Sequence, residues 1–265
     1  MITPVLFVVK LRKTLAATLA AVSVLLFFTT PWGLYLATES KPTAEQQESI
    51  EVLSWNVLSI NSKYQEANAI IESEDADVVV LIEVREGFLE SLPAVAKYPN
   101  RLVYPSWRGG GIAVMTKDAN DTLEYVDFGY PTQPAIALSL RRGGSSLRLL
   151  GMHTFSPMPV SRTPHRDKQL DEMVRWAAGQ EGPTCVVGDL NITPWAPAFG
   201  RILESGLCDS RLGTGNCPSW PAQLGALGIP IDHALFKGDC TITNRRVLPA
   251  GPGSDHLPIA MTICF

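Results

Sequence analysis

At 265 residues and 46% hydrophobic composition the chain has room for one substantial core, and its mean hydropathy of +0.10 is high for a soluble enzyme. A net charge of −4 with no Lys/Arg-dense tract argues against a protein that coats nucleic acid. The five cysteines show no metal-type spacing, which argues against a cysteine-ligated metal.

The hydropathy is concentrated at the N-terminus. From Thr14 to Ala37 runs a stretch of 24 residues with no charge, longer than the ~20 a helix needs to span a bilayer. Lys10, Arg12 and Lys13 precede it and Glu39 follows, an asymmetry that predicts a cytoplasmic segment 1–13, a membrane anchor 14–37 and the remainder outside the cytoplasmic membrane. Trp32 and Tyr35 fall where an outer aromatic belt would sit. A cleaved signal peptide shares the basic-then-apolar pattern; the length of the run and the lack of a small-x-small cleavage site favour a retained anchor. Residues 38–49, with Pro42 and a polar Glu/Gln run, read as a linker to a single domain, 50–265. Setting aside the first 49 residues, with four basic and three acidic groups, leaves 18 basic against 23 acidic, a net of −5.

Within the domain, Ile50 to Val57 reads as a strand ending in Trp55-Asn56, and Tyr64 to Ser73 as a helix. Asp77 to Val84 reads as a buried strand that delivers Glu83 near its C-terminal end. Gly87 to Ala96 reads as helical. Gly110–Lys117, Ala135–Leu140 and Ser146–His153 read as strands, followed by a Pro-rich loop and a helix from about Pro164 to Ala178. Cys185-Val186-Val187-Gly188-Asp189-Leu190-Asn191 is a buried strand with an acid and an amide at its exit, two residues apart and so pointing the same way on extended backbone. A helix near Ala198–Ser205, an irregular Gly/Pro-rich stretch from Leu207 to Gly228, and strands at Ile231–Phe236, Thr241–Val247 and Leu257–Cys264 complete the chain. Strands outnumber helices without strict alternation, which predicts an α/β fold of two mixed sheets packed face to face with helices outside. Cys208 and Cys217 enclose a short loop that a disulfide could close, Cys185 reads as a small buried hydrophobe, and Cys240 and Cys264 either pair or are buried separately.

The polar residues of interest fall repeatedly at strand ends. A carboxylate closing an apolar run, such as Glu83, is costly to bury unless a cation meets it, and a hard oxygen-seeking ion such as Mg²⁺ would do so. Asp189 beside Asn191 can orient and deprotonate a water while the amide donates to an anionic oxygen; an Asx turn is the plain alternative. His153 ends an apolar strand, Asp232-His233 follows Ile231, and Ser254-Asp255-His256 follows Gly251-Pro252-Gly253, a loop able to carry an acid and an imidazole into a cleft.

In this order Trp55-Asn56, Ile82-Glu83, Met152-His153-Thr154, Gly188-Asp189-Leu190-Asn191, Ile231-Asp232-His233 and Ser254-Asp255-His256 resemble the endonuclease/exonuclease/phosphatase superfamily, the DNase I-like fold, and most closely its membrane-anchored bacterial members. The resemblance implies a four-layer α/β sandwich and divalent-metal-dependent hydrolysis of a phosphate ester, usually with Mg²⁺, with Mn²⁺ or Ca²⁺ as alternatives. It implies that Glu83 is the main metal ligand, with Asn56 and Asp255 near the ion directly or through water, and that Asp189 activates the water. Asn191 and His153 would hold the scissile phosphate, and His256, polarised by Asp232, would donate to it. Arg108 is a further substrate candidate, against the plainer reading of a turn before a strand; Arg162, His165 and Arg166 could take a second anionic group, with a solvated helix start as the default, and Trp195 could stack on a base or rest on lipid, with loop packing as the more usual use. A lipid head group or small phosphate ester is the expected substrate, with an extracytoplasmic nuclease or a non-catalytic binding module on the same fold as alternatives.

Overall fold

Twelve strands build two six-stranded mixed sheets. The computed structural model describes residues 14–22 and 48–265. The first sheet has β1 (Ser49–Asn56) at its centre, flanked by β12 (Ile259–Cys264) antiparallel and β2 (Val78–Ile82) parallel. β11 (Thr241–Val247) lies outside β12, and β4 (Ile112–Thr116) then β3 (Asn100–Tyr104) lie outside β2. The second sheet runs β5 (Thr122–Val126), β6 (Ala135–Arg142), β7 (Ser145–His153), β8 (Thr184–Asp189), β10 (Asp232–Lys237) and β9 (Cys208–Asp209), with β7 and β8 parallel.

The continuous apolar runs follow from burial on both faces. In β2, Val78, Val80 and Ile82 point between the sheets, where they meet Ile136, Leu138 and Leu149, while Val79 and Leu81 point outward into a second cluster. That outer cluster is closed by α1 (Tyr64–Glu74) through Ala67 and Ile71 and by short 3₁₀ turns. On the far side, Val186 of β8 meets α2 (Thr163–Ala178) and α3 (Pro197–Glu204) through Leu170, Met173, Phe199 and Ile202, a helical spacing that presents one apolar stripe. The result is four layers, as the sequence predicts. Each fully buried aliphatic side chain contributes about 1.5–3 kcal/mol relative to exposure, and all three clusters lie within residues 50–265.

The segment read as a helix over Gly87 to Ala96 is instead two 3₁₀ turns, Leu89–Ser91 and Pro93–Lys97. Pro93 has no N–H to donate and pushes Leu92 to an extended φ/ψ of −116° and 98°, so an α-helix cannot run through. β3 and β5 were not expected from sequence: both are edge strands with exposed positions and so lack a doubly buried run. All five cysteines are free thiols; Cys208 is exposed and Cys217 half-buried, and the buried Cys240 donates its thiol to Lys237 O at 3.2 Å and is not paired with Cys264. Residues 14–22 are helical and exposed. The predicted segment 1–13, the rest of the predicted span to residue 37 and the linker up to residue 47 lie outside the described residues, among which no helix is long and apolar enough to cross a membrane.

Candidate active site

Strand directions gather the site. β1, β2, β3, β7 and β8 all end, and β10 and β12 begin, at one edge of the sandwich, so their exit loops face one cleft of about 1060 Å³. Glu83, His153, Asp189, Asn191, Asp255 and His256 line it, with Asn56 and Asp232 buried directly behind.

Asp189 is the hub. Its carboxylate is 1% exposed and accepts from Asn56 Nδ2 at 3.1 Å and from the Asn191 backbone N–H at 2.9 Å. His153 Nε2 and His256 Nε2 each lie 3.7 Å from Asp189 Oδ2, one on either side. β8 can deliver this residue because Gly188, at φ +147°, lies against β7: a Cβ there would overlap the Met152 carbonyl oxygen. Glu83 and Asn191 both take positive φ, 61° and 48°, which turns their side chains into the cleft as each strand exits.

His256 and Asp232 form a buried pair, with His256 Nδ1 donating to Asp232 Oδ2 at 2.9 Å. Burial opposes a charge on His256, but the Asp232 and Asp189 carboxylates outweigh it and push its pKa up to about 10. Asp232 moves the other way: burial would raise it, yet the imidazolium holds it below its ordinary value. Asp189 is raised by burial, opposed by His256 and reinforced by Asp232, which makes it a stronger base than a surface carboxylate. Ser254 braces the loop, its Oγ donating to Asn56 O at 2.6 Å and accepting the His256 N–H at 3.0 Å.

Two sets of groups could hold a cation. Ligand atoms of Asp189, Asp232 and His256 lie within 4.8 Å of one another. Within that trio His256 Nδ1 already donates to Asp232 Oδ2 at 2.9 Å, which leaves the Asp189 carboxylate and His256 Nε2 facing the cleft. Glu83 and Asp255 offer oxygens alone. Glu83 accepts only Asn56 Nδ2 at 3.1 Å and Ser59 N at 3.2 Å, and Asp255 has one oxygen held by Trp220 Nε1 at 2.8 Å while its buried Oδ1 has no partner. An orphaned buried oxygen in the cleft that Glu83 also lines fits a hard divalent ion. Asn56, expected as a ligand, presents its amide nitrogen to both Glu83 and Asp189, while its Oδ1 accepts the Leu58 N–H at 3.1 Å; it bridges two carboxylates rather than ligating.

Asn191 Nδ2 donates to Thr154 O at 3.0 Å and faces His153 Nε2 at 3.2 Å, so the amide and the imidazole share one wall. Arg166, read as an anion binder, is spent internally: it is buried, donates to Asn191 O at 3.1 Å and pairs with Asp167, which fixes the Asn191 backbone. His233 is also structural. It points away from Asp232 on the pleat, its Nε2 meets Ile192 O at 2.7 Å, and burial together with Arg211 pushes its pKa down to about 3. Arg108, Arg162 and His165 stand on the exposed rim, and Trp195 is adjacent to the lining residue Ala196.

Sequence reasoning missed Trp220, which holds Asp255 and lies 6.4 Å from the His256 ring, and the Tyr130 and Phe155 rings, which meet each other and His165 of α2 edge-on at 5.0–6.1 Å. Trp220, Tyr130 and Phe155 sit on loops without periodicity; Trp220 between Ser219 and Pro221 in a Gly/Pro-rich stretch is the one visible signal.

The same fold recurs in solved structures. TDP2 of D. rerio complexed with single strand DNA product superposes with a TM-score of 0.68 at 17% identity, covering 82% of this chain and 99% of that one. An endonuclease/exonuclease/phosphatase from Bacteroides vulgatus gives 0.64 at 12% identity, covering 82% and 99%. One from Beutenbergia cavernae gives 0.62 at 18%, covering 83% and 72%. At these identities the likeness shows the fold alone, and no curated protein matches the chain in sequence. The profile of the endonuclease/exonuclease/phosphatase family, however, matches residues 53–256, from β1 to the histidine of the Asp232 pair, and the chain belongs to that family.

Proposed function

We propose that the protein is a divalent-metal-dependent hydrolase of a phosphate mono- or diester, acting on a lipid head group or a small phosphate ester. The observation that carries this reading is the convergence of Glu83, Asp189, Asn191, His153 and the His256–Asp232 pair on one cleft from five separate strand ends. Glu83 and Asp255 would hold the ion, Mg²⁺ by donor chemistry, and when bound it would offset the negative charge that makes a phosphate ester resist nucleophiles. Asp189 takes the proton of the attacking water. The Asn191 amide donates to a non-bridging oxygen, and His256 donates from Nε2, kept protonated by Asp232, as charge grows in the transition state. His153 does the same from the opposite wall. The domain's net charge of −5 and the absence of a Lys/Arg-dense tract in its sequence disfavour long nucleic acid as substrate. The uncharged run 14–37, with Lys10, Arg12 and Lys13 before it, supports a single-pass anchor in the cytoplasmic membrane with residues 50–265 on the extracytoplasmic side.

The test is a phosphoester panel of phospholipids, small monoesters, plasmid and single-stranded DNA, run on the purified full chain with Mg²⁺, Mn²⁺ or Ca²⁺. Metal-dependent release from lipid or small ester, reduced roughly 10³-fold in Asp189→Asn, is expected. Turnover of DNA alone would replace this reading with the nuclease. Equal rates in wild type and Asp189→Asn would leave only a binding module.

A further inference from the structure

The described domain exposes large apolar side chains unevenly. Ile60, Trp107, Met158, Val160 and Leu227 are between 64% and 83% exposed, and Trp195 is 38% exposed. Met158 lines the cleft itself, and each of the others lies within two residues of a lining residue: Leu58, Ser106, Met158, Ala196 and Ile229. They come from loops after β1, β3, β7 and β8 and before β10, which all open at the same edge of the sandwich. The domain's other exposed large apolar groups, Tyr125, Leu203, Leu212 and Leu224, are less exposed, at 36–52%. A water-facing mouth has no use for such a ring, because every one of these side chains would gain by leaving water.

Cations accompany them. Arg108 adjoins Trp107, Arg162 follows Val160, and the Arg85 guanidinium lies 5.0 Å over the Trp107 ring. Apolar tips with arginines between them match the boundary between acyl chains and phosphate head groups. We propose that the mouth of the cleft is a bilayer-docking surface, so that Ile60, Trp107, Met158, Val160, Trp195 and Leu227 enter the membrane that carries the chain and the cleft opens onto its head groups. This rests on the membrane anchor proposed above and not on the identity of the ester.

The tether's geometry permits it. The linker reaches β1 at Ser49, at the end opposite the mouth, and the eight residues of β1 span about 26 Å. The ten residues 38–47 can reach at most about 36 Å when extended. The chain can therefore run back along the full length of β1, which lets the mouth turn toward its own membrane.

The test uses the full chain reconstituted into phosphatidylcholine vesicles with either plain or brominated acyl chains, in EDTA so that no hydrolysis intervenes. Bromine quenches an indole only at close range, and the emission missing from Trp107→Phe isolates residue 107. That difference emission should be at least about twofold weaker in brominated vesicles, as expected for a side chain inserted at the interface. It should be insensitive to bromine when Met158→Ser, Val160→Ser and Leu227→Ser are combined with the native Trp107. Equal emission from residue 107 in plain and brominated vesicles, with the chain recovered on both, would overturn the docking surface and leave the anchor standing. Failure of the chain to co-float with either vesicle would overturn both. Neither outcome touches the hydrolase reading, which is measured separately on soluble esters.

Discussion

Replacing Asp232 by Asn isolates the charge that keeps His256 protonated. The pair is buried, with Asp232 1% and His256 5% exposed, and Nδ1 meets Oδ2 at 2.9 Å. His256 stands at about 10 against an ordinary 6.5, a difference of roughly 3.5 units, or about 5 kcal/mol at 1.36 kcal/mol per unit. Because the folded-state pKa is raised, this stabilisation is fully present below pH 6.5 and is lost as pH rises through about 10. An Asn side chain still offers an oxygen to Nδ1–H but no charge, and burial then works against the imidazolium with Asp189 and, more weakly, Asp255 to oppose it. Asp232→Asn should therefore lose about 3 kcal/mol of stability at pH 7, the lower end of the cost of removing one partner from a buried pair. Its stability should also be nearly flat between pH 6.5 and 10, where the wild type declines. In kcat/KM the loss at pH 8 should be roughly 10²-fold or more, with the alkaline limb moved from near 10 to below about 6.5 and part of the activity regained near pH 5–6. Urea melts and rate profiles across that range measure both. An Asp232→Asn enzyme whose alkaline limb still falls near 10 would refute the assignment of His256's proton to this carboxylate.

Glu83→Gln should raise the Mg²⁺ concentration for half-maximal rate by about tenfold or more with little change in melting temperature; an unchanged Mg²⁺ requirement would move the ion to the Asp189, Asp232 and His256 trio. Gly188→Ala places a Cβ against the Met152 carbonyl at a positive φ and should cost about 3 kcal/mol or more, read as a lowered thermal midpoint. His233 is held neutral down to about 3, so up to about 5 kcal/mol of stability should be lost as pH falls from 6.5 toward 3, because the unfolded state takes up the proton first. His233→Gln should flatten that acid limb, and urea midpoints that fall in parallel with wild type would count against it.

The site was legible in the sequence because its acids and imidazoles sit where apolar runs stop. Val78 to Ile82, Leu149 to Met152 and Cys185 to Val187 are short continuous apolar runs buried on both faces, and Glu83, His153 and Asp189 are the next polar residues along. Such a signal fixes that a side chain leaves the core at a strand end but not which of its atoms faces the cleft. Asn56 illustrates the gap: the same position that suits a ligand also suits a donor between two carboxylates, and the competition for its oxygen comes from the Leu58 backbone N–H, which no spacing rule reveals. Arg166 and His233 fail for the same reason, since a helix face and a strand pleat decide whether each looks inward or outward. The edge strands β3 and β5 and the Trp220 loop stayed hidden because half-exposed or aperiodic backbone carries no burial pattern. It follows that, in this chain, sequence is a good guide to which residues converge and a poor one to the protons they carry. Those depend on pairs such as His256 with Asp232, 24 residues apart along the chain and 2.9 Å apart in space.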